Sequence, residues 1–123
     1  GHDNAVLARR QMFVLNSQGQ PVGTVTAWWG ELVSGPSWGR VHWLAVVPEF
    51  QGRGLGRALM TRVCVRLQEL GHAQAFLTTS LLRLPALRLY LRFGFRPHVR
   101  SPAEAAAWRE AVRQYQLPLT LAP

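Results

Sequence analysis

Apolar residues recur along this chain at two spacings, and clusters of turn-forming residues mark where one gives way to the other. From Gln11 the chain reads Gln-Met-Phe-Val-Leu, then Asn-Ser-Gln-Gly-Gln-Pro, then Val-Gly-Thr-Val-Thr-Ala-Trp-Trp. Two β-rich runs around a Gly/Asn/Pro turn predict a hairpin, with strands near 9–15 and 22–32. The breaker cluster Ser34 to Gly39 leads to a third strand, Arg40 to Val47, which Pro48 stops. Leu55, Leu59, Val63, Leu67 and Leu70 then fall on one face of a helix that ends before Gly71. Ala73 to Thr79 predicts a short buried strand. Pro85 opens a further helix, with Leu84, Leu87 and Leu91 on one face and Gly94 as its stop. Phe95 starts an extended segment. Ser101-Pro102-Ala103-Glu104 is a capping box for a helix to about Tyr115, and Leu117 to Ala122 predicts an edge strand. The order β-β-β-α-β-α-β-α-β argues an α/β fold with a mixed sheet.

Length bounds this picture. The chain has 123 residues, enough for a single domain spanning 1–123 with a real core. It opens on Gly1-His2 rather than methionine, read here as an expression scar on a piece of a longer protein. No apolar run is long enough to span a membrane. Cys64 is the lone cysteine. That removes an internal disulfide framework and a cysteine-based zinc site, no other metal-ligand spacing is present, and a reducing cytoplasm is the expected location. Charge changes the picture more. Fourteen basic residues, all arginine, face six acids for a net charge of +8. A polyanionic partner is expected, either nucleic acid or a small molecule bearing several phosphates. The arginines are dispersed and no nucleic-acid recognition motif is present, so the small molecule is favoured.

The segment Gln51-Gly52-Arg53-Gly54-Leu55-Gly56-Arg57 lies between the third strand and the helix. Its three glycines let the backbone turn sharply and approach a ligand. The first N–H groups of the helix, its dipole and two arginines then make an anion site suited to a pyrophosphate. A nucleotide P-loop needs Gly-Lys-Ser/Thr, and the chain has no lysine. The dinucleotide pattern G-x-G-x-x-G fails as well, because its third glycine would fall on Arg57 or Leu59. What stands is Q-x-x-G-x-G. Leu44 to Leu59 resembles the central motif of the GNAT superfamily of N-acetyltransferases, and Leu89-Tyr90-Leu91-Arg92-Phe93-Gly94-Phe95 resembles its second motif. The resemblance covers roughly 11–97.

That resemblance implies a mostly antiparallel mixed sheet flanked by helices, with a splayed parallel strand pair that binds coenzyme A. It implies acetyl-coenzyme A as cosubstrate, an acceptor amine attacking the thioester directly, backbone contacts to pantetheine from Leu44, Ala45 and Val46, and a pyrophosphate held by Gln51, Gly52, Arg53, Gly54, Leu55, Gly56 and Arg57. Tyr90 matches the family's general acid. Arg83 stands where members often carry an asparagine that contacts the cofactor. For the base, His42 is set on the face of Leu44 and Val46, where members often carry Glu, and Glu31 is the rival. Lone strand histidines are more often structural. Trp28, Trp29, Trp38 and Trp43 are candidates to line the acceptor pocket. Members usually begin with a strand and two helices that build the acceptor site. Fewer than ten residues precede the first strand here, which fits a piece of a longer protein, a naturally short member or a partner chain completing the site; a homodimer is the first expectation and a longer native chain the second. The alternatives are a noncatalytic coenzyme A-binding module and, less favoured, a nucleic-acid-binding protein.

Overall fold

The computed structural model describes residues 4–30, 37–81 and 83–120. The chain divides into two compact units, Gly1–Leu77 and Thr78–Pro123.

In the first unit a short helix α1 (Asn4–Arg10) runs into strand β1 (Gln11–Leu15), followed by β2 (Pro21–Gly30), β3 (Trp38–Val46), helix α2 (Leu55–Glu69) and strand β4 (Ala75–Phe76). The helix before β1 corrects the strand expected from residue 9. Its Arg10 donates to the Ala27 carbonyl at 3.0 Å and lies 4.2 Å from the centre of the Trp29 ring, contacts that fix the end of α1 against β2. The β1–β2 hairpin forms as expected because the Asn16 side chain accepts from the backbone N–H groups of Gln18 and Gln20, both at 2.9 Å. The sheet order is β1-β2-β3-β4, with β1–β2 and β2–β3 antiparallel and β3–β4 parallel.

Helix α2 lies on one face of this sheet because its apolar stripe meets a row of small and branched strand residues. Leu59, Met60, Val63 and Leu67 are buried on the helix, and Val22, Val25, Ala27 and Val41 on the strands. Burial of each Leu, Met or Val side chain contributes about 1.5–3 kcal/mol before entropy is counted. Gly39 permits the close approach: a Cβ there would sit 2.9 Å from Leu67 Cδ2 and 3.0 Å from His72 Cβ. Strand β4 is only two residues long, pairing Gly39 with Ala75 and Arg40 with Phe76. The longer strand expected over 73–79 is reduced to these two residues.

The second unit holds helices α3 (Leu84–Arg92) and α4 (Pro102–Tyr115). Leu91, Ala111 and Leu117 form its core, with Leu84, Trp108, Val112 and Tyr115 packed around them. The serine half of the capping box forms, with Ser101 Oγ accepting from the Glu104 N–H at 3.1 Å, while the Glu104 carboxylate accepts from the N–H of Arg100, one residue before the N-cap, at 2.9 Å. Neither extended segment expected here is a strand among the described residues. After Phe95, the Arg96 guanidinium turns back to the Leu91 and Phe95 carbonyls at 3.2 and 2.9 Å. After Tyr115, Gln116 takes a left-handed conformation, and Leu117 is buried in the core rather than laid along a sheet edge.

Candidate functional site

Strand β3, the turn after it and the first turn of α2 form one continuous stretch that carries most of the residues singled out from the sequence. Residues Pro48–Phe50 form a single 3-10 turn. Gln51 then anchors the loop by donating its side-chain amide to the Val46 carbonyl at 2.9 Å. Gly52 and Gly54 both adopt left-handed backbone, at φ 77° and 82°, a region other residues enter only with strain. Open space surrounds both positions: a Cβ on either would meet nothing within 4 Å. Conformation, not crowding within the chain, is what glycine supplies here.

Gly54 is the N-cap of α2 and has no side chain to cap it. The first helical hydrogen bond runs from the Ala58 N–H to the Gly54 carbonyl at 3.1 Å, so the N–H groups of Leu55, Gly56 and Arg57 precede the helical ladder. No acidic residue occupies that first turn. Arg57 projects from it, exposed, and Arg53 stacks over the Phe50 ring at 4.6 Å. Backbone donors, the positive end of a 15-residue helix and two guanidinium groups therefore converge on one exposed loop.

Upstream, β3 is paired along only part of its length. Beyond Arg40 it has β2 on one side and, among the described residues, no strand on the other. The N–H and C=O groups of Leu44 to Val46 that point that way are outside any ladder, the arrangement the parallel-pair splay required. A bulge lies within this stretch. Thr24 pairs with Ala45 but Thr26 pairs with His42, so Trp43 and Leu44 together oppose Val25. Trp43 takes the extra position, in left-handed backbone at φ 53°.

The bulge corrects one expectation. His42 was set on the face of Leu44 and Val46, but the inserted residue breaks the alternation. Val46 pairs with Gly23, whose absent Cβ would point at Leu59 of α2. His42 pairs with Thr26, on the opposite face of β2, and shares that face with Ala45. Its imidazole lies 4.1 Å from the Trp43 ring, and burial, with the Arg40 charge second, holds its pKa below the ordinary histidine value. A neutral His42 is therefore the resting form near pH 7. The rival base, Glu31, lies outside the described residues.

Tyr90 belongs to the second unit, on α3, and is 8% exposed. Burial pushes its phenol upward, and the charge of Arg83, at the N-cap of the same helix, pulls the other way. The phenol is thus protonated at neutral pH, the form that can donate. Cys64 is half-buried and its thiol is pushed up by burial, which suits a small packed hydrophobe rather than a nucleophile. Among the described residues no group of three or more His, Cys, Asp or Glu side chains is placed to hold a metal, and no helix is long and apolar enough to cross a membrane.

Three signals were missed in the sequence: helix α1, the Trp43 bulge and a contact between Arg10 and His72, whose Nη1 and Nε2 atoms lie 3.3 Å apart. The third joins residues 62 positions apart and has no local signature.

With this geometry, a strand, a glycine turn and an uncapped helix beside a partly unpaired parallel edge, the chain belongs to the acetyltransferase (GNAT) family, whose model matches residues 2–95. It is 44% identical over 62 residues to a mycothiol acetyltransferase of Pseudarthrobacter chlorophenolicus, covering 50% of this chain and 19% of that protein. It is 33% identical over 105 residues to a mycothiol acetyltransferase of Geodermatophilus obscurus, covering 74% of this chain and 33% of the relative. The chain thus spans a third or less of the length of these relatives. Among solved structures, a chain of the NatC complex, bound to Gag peptide and CoA, shares the fold with a TM-score of 0.68 at 19% identity, over 78% of this chain and 65% of that one.

Proposed function

We propose that this chain is one acyltransferase domain that moves an acetyl group from acetyl-coenzyme A to a primary amine. The observation that carries the reading is the turn from Gln51 to Gly54, with its two left-handed glycines, feeding an uncapped helix directly after the half-unpaired strand β3. In this reading the N–H groups of Leu55, Gly56 and Arg57 take the pyrophosphate, with Gly52 and Gly54 shaping the loop, Arg53 and Arg57 adding charge, and Gln51 holding the loop against Val46. Backbone groups of Leu44, Ala45 and Val46 hold the pantetheine arm as a further strand would be held. The amine nitrogen attacks the thioester carbonyl, the C–N bond forms, and the C–S bond breaks. The sulfur leaves as a thiolate and takes a proton from the Tyr90 hydroxyl. The proton lost by the amine passes to His42 or Glu31. A thiol ordinarily titrates at about 8.5 and a phenol at about 10, so the Tyr90 transfer is nearly balanced. Burial keeps the Tyr90 phenol protonated at neutral pH and, by raising its pKa, makes its transfer to the thiolate somewhat more uphill, so the donation relies on the thiolate being held against it.

The acceptor is a primary amine, and a homodimer is part of the same proposal. Strand β1 is a sheet edge without charge or proline, and Phe13 and Leu15 on it are 55% and 59% exposed. An uncovered edge of this kind seeks a partner strand. Sedimentation of the chain should give a dimer, and a monodisperse monomer would remove this part of the proposal. The activity is tested by following thiol release from acetyl-coenzyme A in the presence of small amines. Amine-dependent release supports the reading. Acetyl-coenzyme A binding without release for any amine would favour a noncatalytic binding module instead.

A further inference from the structure

Trp43 occupies a position that costs stability and that its own burial does not explain. It is a bulky aromatic residue at φ 53°, a left-handed conformation that glycine enters without strain and side-chain-bearing residues rarely do. Its indole is 50% exposed, so half of the apolar surface that would offset the strain remains in water. The His42 imidazole lies against the ring, centroids 4.1 Å apart and planes tilted by 34°. The strained residue is also the inserted residue of the bulge, next in sequence to Leu44, where the unpaired backbone of β3 begins. Such strain persists only where the surrounding structure holds it, and it clusters at functional sites. A half-exposed indole beside the unpaired backbone of β3 presents one flat apolar face to whatever approaches.

We infer that Trp43 is a specificity-determining residue of the acceptor subsite, a platform against which a ring-bearing amine lays its flat apolar face while its nitrogen reaches the thioester. This rests on the acetyl-coenzyme A reading of the neighbouring loop. The shared chemistry is a ring with an apolar face, which a sugar or an aromatic group can supply. Trp43 does not touch the reacting atoms, and its contribution falls on acceptor affinity, so it acts through KM rather than kcat. A linear amine has no such face and gains little from the platform.

The test uses the full chain with two substitutions, Trp43→Gly and Trp43→Phe, and three amines: glucosamine, 2-phenylethylamine and n-butylamine. Glycine relieves the left-handed strain but removes the half-buried indole, so Trp43→Gly is expected to melt within several degrees of the parent, remain folded and still bind acetyl-coenzyme A. Its kcat/KM for the ring amines should fall roughly tenfold further than for n-butylamine, through KM, as expected for loss of an aromatic contact. Trp43→Phe should recover most of that preference. A loss confined to glucosamine identifies a sugar face and one confined to 2-phenylethylamine an aromatic face, and either supports the platform. Equal losses for all three amines, or none, overturn it. A parent that binds acetyl-coenzyme A and turns over neither ring amine also overturns it, leaving the loop reading intact. A parent that does not bind acetyl-coenzyme A overturns both.

Discussion

Alanine in place of Gly54 separates what the glycine does for the fold from what it does for a ligand, because the chain contains its own control. Gly52, Gly54 and Gly71 have nearly the same left-handed backbone, at φ 77°, 82° and 89°, and a Cβ at any of the three meets nothing within 4 Å. Gly71 follows the C-terminal end of α2, whereas Gly54 caps its N-terminus. Their separation across 15 helical residues is roughly 22 Å. Each glycine-to-alanine change therefore adds only the left-handed penalty, about 1 kcal/mol, and lowers the melting temperature by roughly 4 °C. Saturating acetyl-coenzyme A, at a hundred times its dissociation constant, would stabilise the parent by about 2.7 kcal/mol, a rise of roughly 10 °C. Gly71→Ala should keep that rise in full. Gly54→Ala should lose more than half of it, because its methyl group enters the space through which a phosphate reaches the loop. Thermal melts of the three variants with and without acetyl-coenzyme A provide the measurement. If Gly54→Ala keeps the same ligand-induced rise as Gly71→Ala, the loop does not need bare backbone and the phosphate assignment is wrong.

Three other outcomes follow from particular residues. Tyr90→Phe should lower kcat by roughly a hundredfold while calorimetry shows acetyl-coenzyme A affinity nearly retained, and an unchanged kcat with chemistry rate-limiting would remove the general-acid role. Stability should fall on acidification: His72, beside the Arg10 guanidinium, and His42 are both held below the ordinary histidine value of 6.5 in the folded chain, by burial first and a neighbouring arginine second, so the unfolded chain binds more protons as pH drops below that value. Melts at about pH 7.5 and about pH 5.5 should show the loss, and His72→Gln, which keeps an acceptor for Arg10 without titrating, should reduce it; an equally steep fall in that variant would exclude His72 as a source. Ser101→Ala should cost about 1 kcal/mol in denaturant unfolding by removing the cap on the Glu104 N–H, and a loss within error would mean that water replaces the hydroxyl at no cost.

The parts of the fold that were legible in the sequence are those fixed by short-range physics. The α2 stripe of Leu59, Val63 and Leu67 sets one buried face by helical period alone, and Gly54 and Gly71 mark both ends of that helix by the backbone they permit. The Asn16 turn and the Ser101 cap are likewise closed by side chains within four residues of their partners. What could not be read depended on pairing across the sheet. The bulge exists because two residues of β3 oppose one of β2, and tryptophan is not a residue that advertises left-handed backbone. That single insertion moved His42 to a different face from Val46. The stretch from Leu117 looked like an edge strand by composition, yet Leu117 gains more by entering the core of Leu91 and Ala111 than Pro118 would allow in a ladder. The turn at Gly52 and Gly54 was legible because its conformation is local.

The central claim, that the loop from Gln51 to Arg57 holds the pyrophosphate of acetyl-coenzyme A, is open to direct measurement in a chain of 13.8 kDa. Backbone amide resonances followed by heteronuclear NMR during titration with acetyl-coenzyme A report on the N–H groups assigned to the phosphates. The largest shifts are expected at Gly52, Gly54, Leu55, Gly56 and Arg57, with a second group at Leu44 to Val46. Saturating ligand that leaves the Leu55, Gly56 and Arg57 amides unmoved, while other residues shift or none do, would contradict the account.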